Sequence, residues 1–443
     1  MPRQSRAVVI TGTGTVTPFG LGTGALWQAL CEGKSGFAPC RTFDFSGFPT
    51  PYVAQIADEA FDLKSVVPKS YRKATKVMSR DIELSVGAAS AAVADAGLVT
   101  KAHEQGSVTI PPARFGCHIG AGLIAAEENE LTGALATARA ADGSFDVAKW
   151  GREGMSNLTP LWMLKYLPNM LACHVTIIHD CQGPSNTITC AEASSLLSIG
   201  ESMRVIGRGD ADACLSGGGE SKTNLMGMMR QLYARRLATT QPGEDPATVV
   251  RPFAPDAKGG LPGEGAGLLV LEAADLAAKR GAKALAVLAG FGASQSFCPD
   301  TLGVDPAADG QGMVDAMEAA LADAGMKAAE IDAVVPFGSG VPALDAAERA
   351  ALQAVFGARA AALPLVTVMT AVGNCGAGHG ALAAAVAVRC LAEQKLPARI
   401  NTKGAQGLEA NAAPARSAQL GAVMVVTPSL GGQNAAIILR RAS

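Results

Sequence analysis

Residues 183–195 read GPSNTITCAEASS, and this stretch decides the fold. Small residues crowd a sharp turn between a predicted strand and a predicted helix whose apolar side begins with Leu196, Leu197 and Ile199. The backbone N–H groups and the dipole at a helix N-terminus favour negative charge, so such a turn suits a nucleophile. The stretch therefore predicts a reactive position at the point where the chain turns into the helix.

Composition limits the classes of function. The chain has 443 residues and is 49% hydrophobic, which is enough for a large core and two domains. Its net charge of −2 gives no basic footprint for nucleic acid. No apolar stretch of about 18 residues lacks glycine, proline or charge, so no membrane span is expected, and the N-terminus leads straight into a strand without a signal peptide.

Ten cysteines are scattered singly with no CxxC pair, which predicts reduced thiols and a cytoplasmic protein. The opening glycine pair, Gly12 and Gly14, lacks the GxGxxG spacing of a dinucleotide site. We expect no cofactor and no metal.

An internal repeat indicates two related halves. AAVADAGL at 91–98 recurs as AALADAGM at 319–326, and each copy predicts a helix that ends at a glycine in the C′ position. Each copy is followed by a predicted strand and a glycine turn. Continuous apolar strands alternating with alanine-rich helices favour an α/β fold with sheets covered on both faces. We predict an N-terminal half at 1–272 and a C-terminal half at 284–443, joined by a charged helix. The second half is predicted to open with a strand over 284–288.

The segment at about 127–168 is predicted to be an insert in the first half. Long inserts in compact domains are often functional, so this one is either a surface excursion with a small core of its own or a functional cap. Its apolar side chains include Met155, Leu161, Trp162, Met163 and Tyr166.

Short motifs in a fixed order resemble those of the β-ketoacyl synthases of the thiolase superfamily. They are VITGTG at 9–14, TPFG at 17–20, NMLA at 169–172, the 183–195 turn, GDADA at 209–213, SGGGE at 216–220, RPF at 251–253, GEGAG at 263–267 and GGQN at 431–434. The resemblance covers nearly the whole chain. It implies the thiolase-like five-layer α-β-α-β-α fold, built from two duplicated halves and normally dimeric. It also implies that the insert at about 127–168 can cap an acyl tunnel at a subunit interface, and the candidate tunnel residues are Met155, Leu161, Trp162, Met163 and Tyr166.

The resemblance also implies a catalytic set whose members are largely replaced here. The family's cysteine nucleophile falls on Glu192, its first histidine on Phe337 in FGSGVP at 337–342, and its second on Asn374 in GNCGAG at 373–378. Its lysine falls on Met369, and only its glutamate remains, as Glu264. A carboxylate cannot carry an acyl chain as a thioester, so condensation by this chain alone is not expected.

Neighbouring residues offer poor substitutes for the missing groups. Aligning Cys190 with the nucleophile would need two compensating gaps, and we expect this thiol to end the strand and face the core. His118, His174, His179 and His379 fall on no histidine position of the family. Glu264 is expected to be structural and to accept backbone N–H bonds in its glycine turn.

The run GSGVPALDAAE at 338–348 is similar to the equivalent segment of chain-length factors, the non-condensing partners of type II polyketide ketosynthases. These proteins usually carry glutamine at the cysteine position, so the glutamate is a departure. The first hypothesis is a partner subunit that pairs with an active ketosynthase and shapes the acyl tunnel in polyketide or fatty acid biosynthesis. The pairing would use the strand and helix that lead into the Glu192 turn.

The alternative is an enzyme that uses Glu192 as a base or an electrostatic group on an acyl substrate bound to acyl carrier protein or to CoA. Burial would raise the pKa of Glu192 and the helix N-terminus would lower it, and the sequence leaves that contest open. The expected partners are an active ketosynthase in a heterodimer or a second copy in a homodimer, together with an acyl carrier protein.

Overall fold

The computed structural model describes residues 6–296, 298 and 306–442. The strands in this part of the chain are β1 Val8–Thr17, β2 Gly20–Leu21, β3 Ala38–Pro39, β4 Tyr52–Val53, β5 Phe115–Ala121, β6 Ser185–Ile188, β7 Ala213–Ser221, β8 Glu264–Ala273, β9 Ala286–Gln295, β10 Ala333–Val335, β11 Lys395–Leu396, β12 Arg416–Ser417, β13 Ala422–Pro428 and β14 Gln433–Arg441.

The α-helices in the same part are α1 Thr23–Cys31, α2 Leu63–Val66, α3 Arg80–Asp95, α4 Glu128–Thr137, α5 Val147–Arg152, α6 Trp162–Tyr166, α7 Met170–His179, α8 Ser194–Arg208, α9 Leu225–Tyr233, α10 Ala274–Lys279, α11 Gln311–Ala324, α12 Pro342–Phe356, α13 Met369–Val372 and α14 His379–Glu393.

The main strands follow one hydrogen-bonded path, β10-β13-β14-β9-β1-β8-β7-β5-β6. The two halves of this path repeat each other. From β1, two antiparallel pairings lead to β8 and β7, and a parallel pairing leads to β5. From β9, two antiparallel pairings lead to β14 and β13, and a parallel pairing leads to β10. This common order confirms the two duplicated halves, which meet where β1 pairs with β9.

Helices cover both faces of each half-sheet and fill the space between the half-sheets. Helices α3 and α7 pack on the outer face of the first half, and α11 and α12 pack on the outer face of the second. The central layer contains α8 and α14, whose Leu196 and Leu382 share one core with strands of both halves, such as Leu269 in β8 and Ile437 in β14. The α-β-α-β-α prediction is confirmed.

The repeated helix ends have the predicted geometry. Gly97 follows α3 with φ +62°, and Gly325 follows α11 with φ +63°. Glycine enters this left-handed region without a steric penalty, so both helices end at or one residue before the position preceding this glycine. One strand is longer than expected, because β9 continues past Leu288 to Gln295. Gly290 and Gly292 make this possible, since a Cβ at either would lie within 2.3 Å of a carbonyl oxygen of α11.

The insert at about 127–168 contains α4, α5 and α6. Leu164, Tyr166 and Leu167 at its end pack against the core of the first half, so the insert is anchored to the main fold. Leu161 and Met163 are 65% and 60% exposed, which leaves an apolar surface on α6. The exact limits of the insert and of the two halves stay a prediction.

Candidate functional site

The 183–195 stretch forms the expected turn. Strand β6 ends at Ile188, residues Ala191–Ala193 make one 3-10 turn, and α8 begins at Ser194. Ala191 has φ +45°, a left-handed conformation that is rare for a residue with a side chain. The hydroxyl of Ser194 accepts the N–H of Cys190 at 2.8 Å and donates to the carbonyl of Ala191 at 2.7 Å. These bonds hold the strained turn and direct Glu192 into the interior.

The structure corrects the expectation for Cys190. Its thiol lies past the end of β6 and is partly exposed, not packed in the core. The last strand residues were expected to continue to this position, but the hydrogen-bonded part of β6 is only four residues long.

The Glu192 carboxylate is completely buried and lies among hydrogen-bond donors and cations. Its Oε1 accepts a hydrogen bond from Nδ2 of Asn374 at 3.1 Å, and its Oε2 accepts the N–H of Leu430 at 3.0 Å. Lys222 Nζ lies 3.7 Å and Arg236 Nη1 lies 3.5 Å from Oε1. Both oxygens of the carboxylate therefore accept a hydrogen bond.

These neighbours decide the ionisation of Glu192. Burial raises its pKa, but the charges of Lys222 and Arg236, with the bonds from Leu430 and Asn374, outweigh burial and lower the pKa to about 2. Glu192 is therefore a carboxylate throughout the physiological pH range.

A second buried acid completes the charge cluster. Lys222 Nζ lies 3.4 Å from Oε1 of Glu220, and Oε2 of Glu220 accepts the N–H of Ala377 at 2.7 Å. Burial lowers the pKa of Lys222, whereas Glu220 and Glu192 raise it, and the net direction is upward. Two acids and two cations thus come together in a buried place, which largely balances the charge.

Phe337 and Met369, at the predicted first-histidine and lysine positions, belong to one buried apolar cluster. The Phe337 ring meets the imidazole of His379 edge to face at a centroid distance of 4.9 Å. Burial lowers the pKa of His379 to about 4, against the opposing charge of Glu192, so this imidazole is neutral at pH 7. His379 lies at the site although it falls on none of the predicted histidine positions.

Glu264 has its own set of partners, which differ from those of Glu192. It accepts a backbone N–H as expected, but from Ile56 at 2.7 Å and not from its own glycine turn, and it accepts from the hydroxyl of Ser221 at 2.9 Å. Arg80 adds a guanidinium at 3.2 Å, a partner that the sequence did not indicate. These contacts are those of a structural carboxylate that joins the start of β8 to the start of α3.

The space beside Asn374 is very small. A cavity of about 10 Å³ is lined by Arg236, Phe337, Met369 and Asn374 among others, and a volume of that size holds about one water molecule. None of the five candidate tunnel residues lines it. Trp162 and Tyr166 instead lie together on α6 with ring centroids 5.1 Å apart, and the Tyr166 hydroxyl donates to Glu130 at 2.6 Å. A tunnel role for the five residues stays a prediction.

Lys222 and Arg236 are the site residues that sequence reasoning missed. A signal was available for Lys222, because it follows SGGGE at 216–220, a run that reads as a buried strand. A lysine at the end of such a strand needs an acidic partner, and Glu220 and Glu192 are those partners.

In the described part of the chain, no group of three or more His, Cys, Asp or Glu side chains is placed to hold a metal ion. Within the same residues, no helix has the length and apolar character needed to cross a membrane.

Comparison with known proteins identifies the family. Two family models match, "Beta-ketoacyl synthase, N-terminal domain" over residues 5–277 and "Beta-ketoacyl synthase, C-terminal domain" over residues 285–403. The chain belongs to the β-ketoacyl synthase family.

Individual relatives of this β-ketoacyl synthase homologue match it over nearly its whole length. It is 31% identical to 3-oxoacyl-[acyl-carrier-protein] synthase 2 of Vibrio cholerae, over 99% of this chain and 100% of the relative. It is 29% identical to the actinorhodin polyketide putative beta-ketoacyl synthase 1 of Streptomyces coelicolor, over 99% of this chain and 89% of the relative. The solved ishigamide ketosynthase/chain length factor superposes with a TM-score of 0.81 at 27% identity, over 99% of this chain and 100% of that one.

Proposed function

We propose that this chain is a non-condensing ketosynthase-like subunit, similar to a chain-length factor, that pairs with an active ketosynthase and shapes its acyl tunnel. The observation that carries the proposal is the state of Glu192. A buried carboxylate held by two cations stands where the resemblance places the nucleophile, beside a cavity that admits about one water. A growing acyl chain has no attachment point there, and the cavity beside Asn374 is too small to hold one.

The lost groups argue against condensation by this chain alone. Phe337 has no polar atom to donate to an enolate oxygen, and the amide of Asn374 already donates to Glu192. Removing one oxyanion donor from an enzyme costs about 2.7–4 kcal/mol of transition-state stabilisation. The loss of both imidazoles and of the thiol together leaves too little catalytic power for a useful rate.

The same geometry disfavours the alternative in which Glu192 is a general base. An efficient base has a pKa near the working pH. The pKa of Glu192 is lowered to about 2 by Lys222 and Arg236 against the effect of burial, so its carboxylate is a very weak base at pH 7.

A pairing surface is available beside the turn. Strand β6 lies at the end of the sheet path, and its Ser185 and Asn186 are exposed. The preceding helix α7 exposes Ile177 to 44%, and the insert exposes Leu161 and Met163. Edge strands and clustered apolar side chains are typical of protein interfaces. We propose that this surface takes the ketosynthase, with a second copy of the chain as the competing partner.

The names of two relatives support the proposed acyl carrier and the proposed class of product. The Vibrio relative is named for a reaction on acyl carrier protein, and the Streptomyces relative is named for a polyketide. We propose an acyl carrier protein as the carrier that delivers the chain to the heterodimer. The ten cysteines are free thiols, which supports a cytoplasmic location.

Co-expression tests the proposal. This chain, tagged, is produced together with a ketosynthase that retains the Cys-His-His set and is encoded beside it. We expect a 1:1 complex that elongates an acyl carrier protein substrate, and a changed product length when Met163 is replaced by Trp. The same substitution at an exposed position outside the insert, Val108→Trp, serves as the control. A chain that purifies only as a homodimer and elongates substrate without a partner would contradict the proposal.

A further inference from the structure

The groups around Glu192 come from four separate parts of the fold and converge on one carboxylate. Lys222 follows β7, Arg236 follows α9, Asn374 precedes α14, and Leu430 lies between β13 and β14. Two of these groups are cations within 3.7 Å of Oε1, and two are N–H donors within 3.1 Å of the two carboxylate oxygens. Charged and neutral donors arranged around both oxygens are what a carboxylate-binding protein offers its ligand.

Three of these donors are held in place by contacts that do not involve Glu192. Lys222 is paired with Glu220, which the N–H of Ala377 fixes at 2.7 Å. Asn374 accepts the N–H of Gly376 at 2.9 Å with its Oδ1, and this bond turns its Nδ2 towards the site.

The backbone N–H of Leu430 belongs to a turn that closes on itself. The N–H of Ser429 donates to the carbonyl of Gln433 at 2.8 Å, and the N–H of Gly432 donates to the carbonyl of Ser429 at 3.1 Å. The donors are therefore organised before a carboxylate arrives, which is the arrangement that favours binding of a separate ligand.

We infer that the site is a carboxylate receptor whose resident ligand is the side chain of Glu192, and that it binds a small free monocarboxylate once that side chain is shortened. In the natural chain the receptor is occupied from within, so free carboxylates are excluded. This inference concerns the chain's own pocket and does not depend on whether the chain pairs with a ketosynthase.

The covalent structure of glutamate fixes the size of the ligand. In Glu192→Ala the Cβ remains, and the missing atoms correspond to acetate. In Glu192→Gly the Cβ is also missing, and the missing atoms correspond to propionate. Because the Glu192 side chain is completely buried, one extra methylene in the space it leaves is not easily accommodated. Acetate is therefore the preferred ligand of the alanine variant, whereas the glycine variant also accepts propionate.

Thermal unfolding of the full-length chain tests the inference. Sodium acetate is titrated against Glu192→Ala, with sodium chloride making up constant ionic strength. We expect a saturable rise in Tm with half-saturation on the order of millimolar, as for a ligand that binds only the folded state. The wild type and Glu192→Gln, whose pockets are filled, should show no such rise. Adding Lys222→Met to Glu192→Ala should weaken the acetate response at least tenfold.

A response of Glu192→Ala to acetate that chloride matches, or no response at all, would overturn the inference. If this variant is insoluble, cells are lysed in acetate or in chloride, and the soluble yield is compared. Recovery in acetate alone supports the receptor, and equal yields in the two salts contradict it. Neither result bears on product formation by a heterodimer, so the two proposals fail separately.

Discussion

Asn374 and Glu192 are hydrogen-bonded to each other, Nδ2 to Oε1, at 3.1 Å. The family resemblance predicts the second histidine and the cysteine nucleophile at these two positions. Here Asn374 donates a hydrogen bond to Glu192, and the cations Lys222 and Arg236 neutralise the Glu192 carboxylate. The replacements at both positions therefore fit together as one closed structural unit.

Removing the charge of Glu192 should destabilise the fold. Glu192→Gln removes the carboxylate that faces Lys222 and Arg236, while Lys222 keeps Glu220, and breaking a buried pair in this way costs about 3–5 kcal/mol of unfolding free energy. Lys222→Met should cost a similar amount. The double variant should lose less than the sum, with a coupling energy of about 1–3 kcal/mol in urea unfolding.

An exposed ion pair provides the control for that cycle. Lys34 lies 2.6 Å from Glu32 on the surface, and Lys34→Met should cost less than about 1 kcal/mol. Additive losses for Glu192→Gln and Lys222→Met would show that the two charges are not coupled.

Stability at low pH should depend on Glu192. Its pKa falls from an ordinary 4.5 to about 2 in the folded protein, through Lys222 and Arg236 and against burial. A lowered carboxyl pKa contributes stability above the unfolded value, and this contribution is lost as pH falls from about 4.5 towards 2. Urea unfolding between pH 5 and pH 3 should show a shallower loss in Glu192→Gln than in the wild type. Equal slopes would mean that Glu192 does not titrate with this sign.

Asp81 should produce the opposite trend at higher pH. Burial, and then the charge of Glu220, raise its pKa to about 8. A raised pKa means that its contribution is fully present below the unfolded value, near 3.8, and is lost as pH rises through about 8. Asp81→Asn should therefore flatten the decline in unfolding free energy between pH 6 and pH 9. The exposed Asp58→Asn is the control, and a decline unchanged in Asp81→Asn would count against the assignment.

A side chain at position 376 should destabilise the fold, because Gly376 packs directly against the buried charges of Glu220 and Lys222. It has φ +50°, and a Cβ there would lie 1.9 Å from Oε2 of Glu220 and 2.5 Å from Cε of Lys222. Gly325 has φ +63° with no atom near its Cβ position, so Gly325→Ala isolates the backbone penalty of about 1–2 kcal/mol. Gly376→Ala should cost clearly more than Gly325→Ala in the same unfolding assay. Equal costs would imply that the cluster moves aside easily.

Restoring the thiol alone should not restore condensation. In Glu192→Cys the sulfur would sit beside Lys222 and Arg236, but Phe337 still offers no donor and the cavity of about 10 Å³ still excludes an acyl chain. We expect no acyl adduct by intact-mass measurement after incubation with acyl carrier protein substrates. The double variant Glu192→Cys, Cys190→Ser shows which of the two neighbouring thiols carries any adduct that does form. Elongation by the single variant would show that the pocket is still competent.

The sequence allowed the layered fold and the position of Glu192 to be predicted, because both depend on local order. The 183–195 turn and the repeated C′ glycines Gly97 and Gly325 are short-range patterns. Strand β9 was predicted too short because its glycines pack against the distant helix α11, a contact that a strand pattern does not encode.

The electrostatics of the site were not predictable in the same way. Lys222 is 30 residues and Arg236 is 44 residues beyond Glu192 in the sequence, and only the closed fold brings these cations to the carboxylate. Arg80 reaches Glu264 across an even longer separation. Burial and these two cations shift the pKa of Glu192 in opposite directions. The sequence does not show that the cations lie close, so it could not predict the direction of the shift, whereas the folded structure places them so that the pKa is lowered.

The most direct test of the central claim is the turnover of the co-expressed heterodimer with Glu192→Gln, normalised to folded complex at a temperature where both versions are stable. The account predicts nearly unchanged kcat and unchanged product length, because Glu192 holds the pocket closed and performs no chemistry. A loss of kcat of tenfold or more, with the complex intact, would contradict it.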